Sequence, residues 1–228
     1  MQRRILIAIV SDERRNDACL SFVTSFLKLQ SMLFGADVAI SVVFSNSERE
    51  MLEKFHADKD FDAMLYLDSM IGFNPEMAFA AMTRPGNRDV ILGTYPLPAI
   101  HWDRLEKYLG KRGAGADGSF GGADVPEDDL MLNAMTFNVE CHKERTGGDA
   151  KRTGGDPTDE EYAIVDAVHD MKVYAISRRV VDSYFDPANR SPKVFGWDGP
   201  MYCDVERQCS SFGNLDHVGC VGHRSIVR

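Results

Sequence analysis

The first apolar stretch of the chain, Ile5-Leu-Ile-Ala-Ile-Val10, is unbroken. Six apolar residues in succession suit a strand covered on both faces, because neither side-chain direction then meets water. The polar turn Ser11-Asp12-Glu13-Arg14-Arg15 follows. A helix is predicted from about Asp17 to Leu33, where Leu20, Val23, Phe26, Leu27 and Met32 roughly keep the helical period. Val38 to Phe44 reads as a second strand, and Ser47 to Phe55 as a helix that opens with a serine cap. Phe61 to Leu67 reads as a third strand ending at Asp68. Pro75 at a first helical position opens a short helix that runs to Met82, and Asp89 to Gly93 is a fourth strand. This alternation predicts an α/β fold, an α/β/α sandwich with a mostly parallel central sheet and right-handed crossovers. Ligands of such sheets sit at the carboxyl ends of the strands, where Ser11, Asp12 and Asp68 fall.

The middle of the chain breaks the rhythm. Residues 110 to 129 are rich in Gly, Asp and Ala, and Arg-Thr-Gly-Gly-Asp occurs twice, at 145–149 and 152–156. The repeat suits a tandem duplication in a mobile loop, and also a sugar-contacting loop. Both Gly-rich segments, 110–129 and 143–158, are expected to be mobile, since they bury too little apolar surface to offset the entropy of ordering. Regular pattern returns from Glu161 to Arg179, with Tyr162, Ile164, Val165, Val168 and Val173-Tyr-Ala-Ile176 suggesting strands and a helix start. The last thirty residues, with Trp197-Asp-Gly-Pro200, Phe212-Gly213 and His217-Val-Gly219, are dominated by turn signals.

Length and charge narrow the possibilities. At 228 residues one domain with long loops is the default, and the net charge of −9 argues against a general binder of nucleic-acid backbones. Five scattered cysteines, Cys19, Cys141, Cys203, Cys209 and Cys220, do not suggest a disulfide framework, so a reducing compartment is expected. Their spacing around His217 and His223 fits no common structural zinc pattern. The six-residue apolar run near the N-terminus is too short for a signal sequence or a membrane span, and a cytoplasmic location without membrane contact is expected.

The most informative stretch is Leu65-Tyr-Leu-Asp68-Ser-Met-Ile-Gly-Phe-Asn-Pro-Glu76. A carboxylate at the end of an apolar strand stands where a metal and a nucleoside diphosphate meet it, and a leaving diphosphate needs positive charge to receive it. The same aspartate equally suits a cap of the turn that follows. Taken with Asp89-Val-Ile-Leu-Gly-Thr-Tyr-Pro96 and His101-Trp102, the stretch resembles glycosyltransferases of the GT-A fold. There an Asp-x-Asp ends a strand and a hydrophobic residue, Phe, Pro and Glu follow, then a strand leading into Tyr-Pro and a downstream Trp. Val165-Asp-Ala-Val-His-Asp-Met-Lys-Val-Tyr-Ala-Ile-Ser-Arg-Arg179 is similar to the family segment with a strand ending in Ile-x-Arg-Arg, and His217-Val-Gly219 to its terminal His-x-Gly, whose histidine binds the metal. The resemblance covers residues 3 to 105 well and 160 to 225 loosely.

The resemblance implies a single GT-A-like domain, with a nucleotide-binding half at about residues 1–105 and an acceptor-binding half at about 160–228. It implies transfer of a sugar from a nucleoside diphosphate sugar to an acceptor that the sequence does not identify, whether protein, glycan, lipid or modified nucleic-acid base. Ser11, Asp12 and Arg15 would meet the base and ribose, Asp68 and Ser69 the diphosphate, and Asp68 with His217 a Mn²⁺ or Mg²⁺ ion. Two departures stand out. Met70 replaces the second aspartate of Asp-x-Asp, and a thioether does not suit a hard cation. The acidic pair that supplies the base has its nearest counterpart in Asp204-Val-Glu206, with Asp204 ranked ahead of Glu206. Met70 keeps open a degenerate domain that holds a nucleotide without catalysis. A nucleotidyltransferase is a third reading by fold analogy alone, and it lacks the glycine-rich phosphate loop after the first strand. Tyr95 and Trp102 are candidates for stacking on a sugar or base, though core packing is the commoner use.

Overall fold

The strand Arg3–Val10 (β1) is the axis of the architecture. The computed structural model describes residues 2–11, 18–83, 87–100, 102, 106, 135–141, 162–189 and 194–204. After β1 come helix α1 (Leu20–Leu33), β2 (Val38–Ser45), α2 (Glu48–Ala57), β3 (Ala63–Asp68), α3 (Pro75–Thr83) and β4 (Val90–Leu92). Short strands β5 (Pro96–Ile100), β6 (Met135–Phe137) and β7 (Val139–Cys141) follow, then β8 (Tyr162–Val168), β9 (Val173–Ser177), α4 (Arg178–Tyr184) and β10 (Tyr202–Asp204). Both Gly-rich loop segments, 110–129 and 143–158, lie outside the described residues.

Eight strands form one sheet in the order β2-β1-β3-β9-β4-β10-β8-β7, and β5 with β6 makes a separate ribbon. β1 runs parallel to both β2 and β3, and β10 runs parallel to β4. β9 is antiparallel to both its neighbours, β3 and β4, and β8 is antiparallel to β10 and β7. The sheet is therefore mixed, where the sequence pattern led to a mostly parallel one. The reason lies in β9: Val173-Tyr-Ala-Ile176 is buried throughout, and a continuous apolar run fits a covered strand in either direction.

Successive residues of β1 face opposite layers. Ile5, Ile7 and Ile9 pack with Leu65, Leu67 and the apolar residues of α1 and α3. Leu6 and Ala8 pack with Met64, Tyr66, Tyr174 and those of α2 and α4. Helices thus cover both faces, which is why β1 carries no polar residue between Ile5 and Val10. The predicted caps form. The Ser47 hydroxyl accepts from the Glu50 N–H at 3.4 Å, and Asn74 Oδ1 accepts from Glu76 and Met77 N–H around Pro75. At the start of α1 the Cys19 sulfur accepts from the Phe22 N–H.

The structure supplies one detail that the sequence pattern left open and corrects one expectation. The core-facing residues of α1 are Phe22, Ser25, Leu29 and Leu33, while Leu20, Val23 and Leu27 face away from the sheet. Two apolar stripes run along this helix, and periodicity alone does not say which one meets the sheet. Second, Cys203, fully buried in β10, is disulfide-bonded, which the scattered cysteine spacing did not suggest.

Candidate functional site

The strand order reverses at β1, because the chain goes from β1 out to β2 and returns across to β3. In open α/β sheets the crevice at such a reversal, at the strands' carboxyl ends, is where ligands sit. A cleft of about 530 Å³ lies there. Its apolar surfaces are Ile9, Phe22 and Phe44, and its polar ones include Ser11, Asn46, Glu50 and Ser69. The Phe44 ring is 72% exposed, a large apolar side chain held in water beside an opening. Phe22 is buried behind it against Phe73 and Phe26.

The polar wall is preset by hydrogen bonds between strand ends. Ser11 N–H donates to the Ser45 carbonyl at 3.1 Å, and Ser11 Oγ donates to Asn46 Oδ1 at 3.0 Å. The Ser45 hydroxyl donates to Glu50 Oε2 and accepts from the Ser47 N–H. Glu50, in the first turn of α2, is thereby aimed at the cleft, where the positive end of the helix dipole favours its charge. Ser69 is buried, donates its N–H to the Val10 carbonyl, and accepts from the Cys19 N–H through its own carbonyl. It ties β3 to β1 and to the entry of α1.

Asp68 stands beside this cleft, at the last position of β3. Its Oδ1 accepts the Met70 N–H at 2.8 Å and its Oδ2 lies 3.7 Å from Lys172 Nζ. The turn-capping use of Asp68 therefore operates, and the carboxylate is at the same time only partly buried and paired with an ammonium.

A second layer lies under Asp68, where β9 enters the sheet. Asn138 is buried, and its side chain joins three backbone segments. Oδ1 accepts the Tyr95 N–H at 2.9 Å, while Nδ2 donates to the Gly93 and Asp170 carbonyls at 3.0 and 3.2 Å. The Tyr95 hydroxyl is buried beside Asp170 and the Lys172 backbone, and makes no hydrogen bond of regular geometry among the described residues. Burial, then the Asp170 carboxylate, pushes that phenol well above its ordinary range. Tyr66 is raised by burial and by Glu48, Asp68 and Asp170. Tyr174, stacked on Tyr66 with centroids 4.6 Å apart, is raised by burial and by Glu48, to which it donates at 2.6 Å. Burial and nearby carboxylates thus keep all three phenols protonated, and Tyr174 uses its proton to hold Glu48.

Among the expected site residues, the structure brings Ser11 and Ser69 together in the cleft, with Asp68 next to it. Asp204 ends β10, and its register beyond Cys203 and Leu92 sets it level with Gly93 at the same end of the sheet. With β9 and β4 between β3 and β10, its backbone is about three strand spacings, ~14 Å, from that of Asp68. Asp12, Arg15, Glu206 and His217 lie outside the described residues. Tyr95 is buried and Trp102 is exposed. Sequence reasoning missed Asn46, Glu50, Asn138, Asp170 and Lys172. The signal for Glu50 was available in Ser47-Glu-Arg-Glu50, a capping box whose acid lies just past a strand end.

For a hard divalent ion the described donors are too few. No group of three His, Cys, Asp or Glu side chains converges among the described residues, and the Asp68 carboxylate has an ammonium beside it. No helix among the described residues is long and apolar enough to cross a membrane. The sequence matches no known protein family, and no characterised protein is significantly similar to it.

Proposed function

We propose that the chain binds a nucleoside diphosphate sugar in the cleft at the carboxyl ends of β1, β2 and β3, and transfers the sugar to an acceptor as a GT-A-type glycosyltransferase. The observation that carries this is the cleft itself, with aromatic rings on one wall and preset polar groups on the other, at the strand-order reversal. Phe44 and Phe22 suit the flat face of a base. Ser11, Asn46 and Glu50 suit ribose hydroxyls or base N–H groups, with Glu50 accepting. Asp12 and Arg15 extend the same turn in sequence.

The diphosphate then lies toward Ser69 and Lys172. As the bond between the sugar's anomeric carbon and the phosphate oxygen breaks, that oxygen takes the electron pair, and the Lys172 ammonium, beside Asp68, would receive its charge. The acceptor oxygen bonds to the anomeric carbon and gives up its proton to a base. Asp204 is the candidate, with Glu206 two residues beyond. A Mn²⁺ or Mg²⁺ ion enters this reading only with donors beyond the described residues, His217 first among them.

The test is calorimetric and thermal titration with UDP, GDP and ADP, followed by assay of nucleotide-sugar turnover. At a hundredfold its dissociation constant a bound nucleotide adds about 2.7 kcal/mol to stability. Glu50→Gln is expected to weaken binding at least tenfold while leaving the melting temperature of the free protein nearly unchanged. Absence of any shift with all three nucleotides would refute the assignment. Met70 supports a second reading, a nucleotide-holding domain without transfer, and binding without turnover of any donor would decide for it.

A further inference from the structure

Helix α1 carries an outward apolar stripe that stands exposed among the described residues. Leu20, Leu27 and Phe34 are 80%, 57% and 95% exposed, and Val23 is exposed with them. Spaced at intervals of three, four and seven, these four residues fall within about 60° of one another around the helix, nearly opposite the buried stripe Phe22, Ser25, Leu29 and Leu33. The spacing is that of the seam residues of a coiled coil. The face is also almost free of charge. Lys28 is the one ionisable residue among the fourteen of α1, and it lies off the stripe. In a protein of net charge −9, a solvated helix would ordinarily carry acids there.

We infer that this face docks a second copy of the same chain, with α1 packed antiparallel on its counterpart about a two-fold axis at Leu27. Leu27 stands midway in sequence between Leu20 and Phe34. An antiparallel pair centred on it therefore sets Leu27 against the partner's Leu27, and Leu20 against the partner's Phe34. The stripe is self-complementary, which an isologous interface requires and contact with an unrelated protein does not. Charge points the same way. Two copies of −9 repel, so they meet only where neither contributes an acid, and α1 contributes none. The area is a substantial part of what an interface needs. With aromatic side chains presenting roughly 150–250 Å² each, the four residues expose on the order of 500 Å². The flanking uncharged Thr24, Gln30 and Ser31 bring the helix face toward the ~800 Å² per partner of a stable interface.

The test is the mass of the full chain by sedimentation velocity from 1 to 100 μM. A species of twice 25.5 kDa is expected. Leu27→Lys is expected to weaken association at least tenfold, with unchanged helical circular dichroism, since the side chain is mostly exposed and lies outside the buried core. Leu27→Cys is expected to cross-link to itself under mild oxidation, with peptide mapping locating the bond. Leu20→Cys and Phe34→Cys are expected to cross-link only when mixed with each other. A monomer at 100 μM would overturn the proposal, as would a dimer that survives Leu27→Lys. So would slow hydrogen exchange of the stripe in a monomer, which would assign the face to another part of the same chain. None of these residues lines the nucleotide cleft, so the result stands apart from the function proposed above.

Discussion

Arg178 and Arg179 are adjacent and alike in sequence, and the structure gives them unequal work. Arg178 opens α4 and sends its guanidinium under the end of α2. Nη1 donates to the Phe55 and His56 carbonyls, Nη2 to those of Asp58 and Phe61, and Nε again to Phe61. The group also lies 4.0 Å from the Phe55 ring centroid. The last carbonyls of a helix lack intrahelical partners and carry the negative end of its dipole, so a cation there is doubly favoured. Hydrogen bonds from a charged donor contribute about 1.5–3 kcal/mol each. If water replaces half of them after Arg178→Ala, the loss is about 4–7 kcal/mol, with up to ~1 more from the aromatic face. Arg178→Lys keeps the charge but not the fork, and should lose about 2 kcal/mol. Arg179 is 70% exposed, pairs with Asp89 and lies over Trp197 at 5.1 Å. As a surface ion pair it should lose no more than about 1 kcal/mol on Arg179→Ala. Urea unfolding followed by circular dichroism measures all three. Equal losses for the two alanine variants would refute the assignment of Arg178 as the cap of α2.

Two further outcomes follow from the packing beneath the cleft. A Cβ added at Gly93 would stand 2.7 Å from Val173 Cγ1 and 3.1 Å from Met77 Cε, so Gly93→Ala should destabilise by about 1–3 kcal/mol through overpacking, read as a lower urea midpoint. Tyr66, Tyr95 and Tyr174 all have raised folded-state values; their contribution is therefore complete below pH ~10, where unfolded phenols begin to ionise, and is lost as pH rises above it. The slope from three such groups is up to about 4 kcal/mol per pH unit, and unfolding at pH 9, 10 and 11 with tyrosinate absorbance measures it. A flat response would refute the burial of these phenols.

The first hundred residues were legible because their signals are local. A continuous apolar run, a serine before a helix and a proline at its first turn each act within a few residues of where they stand, and β1 to β4 with α1 to α3 follow them closely. What escaped the sequence depends on partners far along the chain. Nothing in Val173-Tyr-Ala-Ile176 says that β9 inserts antiparallel between β3 and β4. That insertion carries Asp170 and Lys172 to the carboxyl end of β3, and Asn138 ties Gly93 and Tyr95 to the turn leading into β9. The periodicity of α1 was visible, but which of its apolar stripes faces inward was not, because only the sheet decides between them. Asp68 shows where the limit falls. Its place at a strand end was readable, and two roles were open for it, cap of a turn or pole of a site. The structure shows the cap in use: one carboxylate oxygen holds the Met70 N–H, and the other faces Lys172. The cap orients the aspartate, and the oriented aspartate fixes the position of the cation. In the function proposed above, Lys172 would receive the diphosphate while Asp68 keeps its bond to the Met70 N–H.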